Sequence, residues 1–80
     1  MLALCVWDVN DDVVMGEATS PRELKNISYA GKKPDKIVVD ENSANKFGEK
    51  VLRKNVKRRG LVITTTGKVI FDGRKKSLYE

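Results

Sequence analysis

The chain contains no histidine and a single cysteine, Cys5. Without imidazole there is no Ser/His or Cys/His nucleophilic pair, no His-ligated zinc, and no side chain whose unperturbed pKa lies near neutrality. One thiol can neither close an intramolecular disulfide nor supply a multi-thiolate metal cage. Set in an apolar strand with no motif to acidify it, Cys5 reads as a small buried hydrophobe and not as a nucleophile. Aromatic side chains are few, at 6%, and scattered as Trp7, Tyr29, Phe47, Phe71 and Tyr79. Periodicity assigns Trp7, Phe47 and Phe71 to the core, which leaves only Tyr29 and Tyr79 for stacking on nucleobases. No apolar run approaches the ~20 residues of a membrane-spanning helix. The apolar N-terminus breaks at Asp8, short of a secretory signal, so the expectation is a soluble cytoplasmic protein.

What remains is an ordinary globular composition: 80 residues, 40% apolar, 34% charged, two prolines and six glycines. The mean hydropathy is −0.43. A chain this short supports one domain, residues 1–80, and buries only roughly 60% of the surface its unfolded form exposes. Little apolar surface is left over for a deep ligand cavity.

Residues 2–9 are apolar on both alternating faces, as expected of a strand inside a sheet. Asn10-Asp11-Asp12 supplies turn chemistry and Val13 to Ala18 returns as a second strand. Ser20-Pro21-Arg22-Glu23 combines an N-cap, a first-position proline and a glutamate placed to reach back, which starts a helix terminated by Gly31. Lys36 to Asp40 is a β-branched run that reads as a central third strand. Asn42 or Ser43 then caps a longer helix reaching Arg59, with Ala44, Phe47, Gly48, Val51, Leu52 and Val56 on its apolar side. Asn55 falls within that face and requires a buried partner. Residues 61–65 and 68–71 flank the Thr66-Gly67 turn as a second hairpin. Residues 74–80 form a basic tail, frayed or adding a last short strand. The order ββαβαββ predicts an α+β fold: one mixed sheet covered by two helices, with the third and fourth strands parallel. In that fold Leu24, Ile27, Phe47, Val51, Leu52 and Val56 pack on a sheet containing Val6, Val38 and Ile63.

Sixteen basic and eleven acidic residues give a net charge of +5, unevenly spread. The first twenty residues contain Asp8, Asp11, Asp12 and Glu17 and no Lys or Arg, whereas residues 42–80 contain eleven basic side chains and three acidic ones. On a continuous helix, Lys46, Lys50, Arg53 and Lys57 stack on one face, where each like-charge pair costs on the order of 0.2 to 0.5 kcal/mol. A phosphate backbone converts that repulsion into attraction with counterion release. The expected function is therefore a non-enzymatic nucleic-acid-binding protein, RNA before DNA, using Lys46, Lys50, Arg53, Lys57, Arg58, Arg59, Arg74, Lys75 and Lys76. A Lys-rich helix face is equally compatible with plain solvated surface.

Two alternatives use other residues. The acidic hairpin and basic helix could engage an acidic or otherwise complementary protein partner, or each other in a homodimer. Asp8, Asp40 and Glu41 could converge on a divalent metal for phosphoester chemistry, although aspartates in turns and acids at helix starts have simpler explanations. Gly31-Lys32-Lys33 and Thr66-Gly67-Lys68 lack the spacing of a phosphate-binding loop and read as turns. No cofactor is called for.

Glu41-Asn42-Ser43-Ala44-Asn45, followed by Arg53-Lys54-Asn55, Gly60, Thr65 and Gly67, resembles the C-terminal half of the archaeal and eukaryotic small-subunit ribosomal protein family numbered eight. The resemblance covers about a third of the chain, needs a gap and omits that family's basic N-terminal extension. It implies an RNA context, and no family is assigned on it.

Overall fold

A computed structural model describes residues 1–74. Five strands form one mixed sheet in the order β2-β1-β3-β4-β5. They are β1 (Ala3–Val9), β2 (Asp12–Ala18), β3 (Lys36–Val39), β4 (Leu61–Thr64) and β5 (Val69–Asp72). β3 is central and pairs antiparallel with β1 and parallel with β4. The first hairpin turns through Asn10 and Asp11 at φ of 48° and 70°, a left-handed pair that short polar side chains tolerate. Gly67, at φ 91°, serves the second hairpin. A bulge between Val62 and Ile63 of β4 and the facing strand β5 leaves both Ile70 and Phe71 packed on the core.

Among the described residues three helices, not two, cover the sheet: α1 (Pro21–Asn26), α2 (Glu41–Phe47) and α3 (Glu49–Lys54). Ser20 caps α1 through its hydroxyl, while Glu23 reaches back to the backbone N–H and hydroxyl of Thr19 at 2.7 Å each. The helix ends at Asn26 rather than running to Gly31. Ala30 and Gly31 have positive φ and form a tight turn closed by Tyr29 and Lys32.

The continuous helix expected from Asn42 to Arg59 is not formed. Asp40 caps its start, accepting from the Ser43 N–H at 2.6 Å. Gly48, at φ 86° and ψ 142°, ends α2 and begins α3. Apolar periodicity passes through a glycine without registering the backbone change that glycine permits. Asn55 ends α3, and its side-chain amide donates to the Val51 carbonyl at 2.8 Å, which supplies the partner its burial requires. The following loop is held by the sheet's end, with Lys57 N–H donating to Pro34 O and Leu61 N–H to Asp35 O.

The core comprises Ala3, Cys5, Trp7, Ala18, Ile37, Val39 and Val62 from the sheet, with Leu24, Phe47, Leu52 and Val56 from the helical side. Val6, Val38 and Ile63, expected beneath the helices, have the opposite parity. Alternation along a strand sends neighbours to opposite faces, so the helices cover Cys5, Ile37 and Val62, and the three expected residues lie on the far face.

Candidate nucleic-acid interface

The two sides of the sheet differ in charge balance because the elements that bear the charges do. Asp11 and Asp12 lie in and beside the β1–β2 turn, and Asp8 and Glu17 are exposed on those strands. The helical side has an excess of cations over its exposed acids Glu23, Glu41 and Glu49. Arg22 and Lys25 on α1, Lys33 in the loop after it, Lys46 on α2, and Lys50, Arg53 and Lys54 on α3 are all exposed.

Two shallow grooves collect these cations. One runs between α1 and α3, lined by Arg22, Lys25, Lys33 and Lys54 with Val51 and Asn55 among its other walls, and contains no acidic residue. The Lys33 ammonium donates to the Lys54 carbonyl at 2.5 Å, an arrangement that brings the loop to the C-terminal end of α3, where cations are favoured. The other is lined by Lys50, Arg53, Lys54 and Arg58, with Phe71 and Glu49. Here the Arg53 guanidinium lies 5.2 Å from the centre of the Phe71 ring and 3.5 Å from the Glu49 carboxylate. Both Arg53 and Glu49 side chains are more than half exposed, so their ion pair is weak and screened.

The nine cations expected to form one surface are redistributed. Lys50, Arg53 and Arg58 share the second groove, and Lys46 stands on the neighbouring helix. Lys57 belongs to a structural clamp: its ammonium is 2.9 Å from Asp35 Oδ1, while Asp35 Oδ2 accepts from the Asp8 backbone N–H at 2.8 Å. Burial raises the Asp35 pKa, but the Asp8 N–H and the Lys57 ammonium outweigh it and hold the carboxyl below its usual range. Arg59 and Arg74 line a depression with Val6, Asp8, Lys36 and Leu61, away from the helices. Lys75 and Lys76, with the rest of the tail beyond Arg74, lie outside the described residues. Conversely, Arg22, Lys25, Lys33 and Lys54 join the candidate interface unannounced, because they line one groove between α1 and α3 that Lys33 closes by donating to Lys54 O. Phe71 is also only half-buried, and its ring forms part of a groove wall.

The carboxylates expected at a metal site do not converge. The antiparallel register of β1 and β3 puts Asp40 near the start of β1 and Asp8 near its end, about 20 Å apart at the rise of a strand. Asp40 caps α2 and Glu41 accepts from the Thr66 hydroxyl at 2.7 Å, which hold both carboxyls below the usual range through hydrogen bonding. Among the described residues no cluster of three or more potential ligands is present. Tyr29 is exposed and packs at 6.2 Å from Trp7, whose indole N–H donates to Lys32 O, so its ring stands apart from both basic grooves. Among the described residues no helix is long and apolar enough to cross a membrane. No family model, curated protein or solved structure matches the chain.

Proposed function

We propose that the helical side binds RNA through its phosphate backbone, without catalysis. The observation that supports this most directly is the α1–α3 groove, where four cations from three segments line one depression and no acidic side chain among the described residues does. Phosphate oxygens satisfy such a surface, and counterion release supplies the affinity. Helices of six or seven residues are only about 9 to 10 Å long, too short to lay a reading surface along a DNA major groove. A single strand or an irregular RNA fits the shallow grooves better. Arg53, backed by Phe71 and more than half exposed, offers its planar guanidinium to an unstacked base.

Fluorescence anisotropy with a labelled mixed-sequence single-stranded RNA and with duplex DNA, titrated across a salt series, tests the reading. RNA binding should weaken linearly in log salt, and the Lys25→Gln/Lys54→Gln double variant should flatten the slope by about 0.7 for every phosphate no longer neutralised, for all sequences alike. Absence of RNA binding at physiological salt, or an unchanged slope in the variant, overturns it. Tighter binding to duplex DNA at equal salt overturns the assignment to RNA.

A further inference from the structure

The sheet's second face carries an apolar patch that none of the three helices covers. The strand register aligns Leu4, Val38, Ile63 and Val69 in one row across β1, β3, β4 and β5, and Met15, Val6 and Leu61 in the next. None of the seven belongs to the core cluster or packs against it. Val13, Met15 and Val69 are 60%, 58% and 55% exposed. A sheet with one solvated face ordinarily alternates apolar-in and polar-out, and the outward rows here are mostly Val, Leu, Ile and Met, interrupted by Glu17, Lys36 and Asp72.

The geometry points to a second copy of this chain as the occupant, packed sheet to sheet as a two-fold dimer. Charge placement supports that choice and fixes its orientation. On this side Asp8 and Glu17 lie on β1 and β2, whereas Arg59 precedes β4; Arg74, beyond β5, is paired with Asp72 of its own chain at 3.3 Å. A two-fold axis running along the strands near β3 lays the β1–β2 side of one copy on the β4–β5 side of the other, so each Asp8 comes opposite the Arg59 end of the second copy. An axis across the strands would instead place acidic side on acidic side. Lys36 lies near the axis, with Asp8 on the adjacent strand to offset its charge. Aligned packing of two twisted sheets is a standard way to cover such faces. Both helical sides stay outward, so the dimer is independent of the RNA reading and can be tested without nucleic acid.

Sedimentation equilibrium of the full chain from roughly 10 to 500 μM should show a monomer–dimer equilibrium, with a dissociation constant in the micromolar range. Met15→Lys and Val69→Lys, at positions exposed enough to leave the fold intact by circular dichroism, should each weaken it at least about tenfold. Asp8→Lys and Arg59→Glu should each weaken self-association comparably, and an equimolar mixture of the two should associate again, because every crossed pair is then complementary. A monomer throughout overturns the proposal, and would assign the face to the chain's own 75–80 segment or to a different protein. A dimer unaffected by the apolar variants, or a mixture that fails to associate, also overturns it.

Discussion

Lys57 offers the sharpest separation between a cation that holds the fold and cations that meet a ligand. Sequence spacing places it in the basic stripe with Lys50 and Arg53, but its ammonium is bound to Asp35, with the two side chains only 35% and 28% exposed. Asp35 in turn accepts from the Asp8 N–H, so one carboxylate joins the ends of β1 and β3 to the loop after α3. An exposed ion pair contributes about 0 to 1 kcal/mol, whereas a hydrogen bond to a charged group contributes roughly 1.5 to 3 kcal/mol. This pair is intermediate in exposure and leaves Asp35 its second hydrogen bond, so Lys57→Met should cost about 1 kcal/mol. In a domain of this size that lowers Tm by about 4 to 8 °C. RNA affinity and its salt slope should hardly change. Lys50→Gln should do the reverse, leaving stability within about 0.5 kcal/mol of the parent and flattening the slope. Thermal melts by circular dichroism and anisotropy titrations of both variants provide the comparison. If Lys57→Met flattened the slope as Lys50→Gln does while Tm stayed fixed, the clamp reasoning and the placement of the interface would both fail.

Phe47 is 3% exposed beneath α2, so Phe47→Ala should cost roughly 3 to 5 kcal/mol in urea unfolding, a large part of the total stability of so small a domain. Asp35, Asp40, Glu23 and Glu41 all have folded pKa values below their usual ones, Glu23 through the Thr19 hydroxyl and N–H. Their stabilisation is present above the unfolded carboxylate range and lost as pH falls through the folded values, so Tm should be flat near neutrality and drop below about pH 4. A Tm unchanged down to about pH 2 would refute that linkage. Burial pushes the Cys5 thiol up to about 11, and iodoacetamide should leave it unmodified in the folded protein at about pH 8 while labelling it in denaturant.

Much of the architecture was legible because it is written locally. The Asn10-Asp11 turn, the Ser20-Pro21 helix start, the Thr66-Gly67 turn and the β-branched run at Ile37 to Val39 each carry their own stereochemical instruction, and the mixed sheet follows from their order. Gly48 shows where local reading fails. Ala44, Phe47, Val51 and Leu52 retain helical spacing across it, yet a residue without a Cβ lets the chain take φ 86° there and divides one helix in two. The choice of sheet face was equally hidden. Leu2, Leu4 and Val6 are as apolar as Ala3, Cys5 and Trp7, so in β1 only Asp8 marks the Val6 parity as the outward one; in three dimensions Trp7 packs inward, its indole bonded to Lys32 O, with Gly16 close to Trp7 and Ile27. The candidate interface was half legible: Lys50, Arg53 and Arg58 line one groove, but Arg22, Lys25 and Lys33 meet Lys54 in a groove between α1 and α3 that no sequence spacing encodes.

The same ambiguity at both parities connects fold to function. Three helices of six, seven and six residues can cover one face of a five-stranded sheet and no more. A chain that needed only a monomeric core would place polar side chains at Leu4, Val38 and Ile63, since alternation costs nothing in strand formation and hides apolar surface from water. Apolar residues at both parities instead give the central strands a second apolar face beside the one the helices cover. Charge follows the same division. Cations borne by the helices are directed outward from the covered face, where phosphates can reach them, and the acids of the first hairpin lie at the edge of the uncovered one. If the uncovered face is an interface, Asp8 is neutralised by Arg59 of a second copy, and the potential seen by an approaching polyanion becomes more nearly that of the helical sides. Dimer formation should then raise RNA affinity without any new RNA contact. An Asp8→Lys variant that no longer dimerises should lose that gain even though its own net charge is two units more positive, an outcome opposite to what net charge alone predicts.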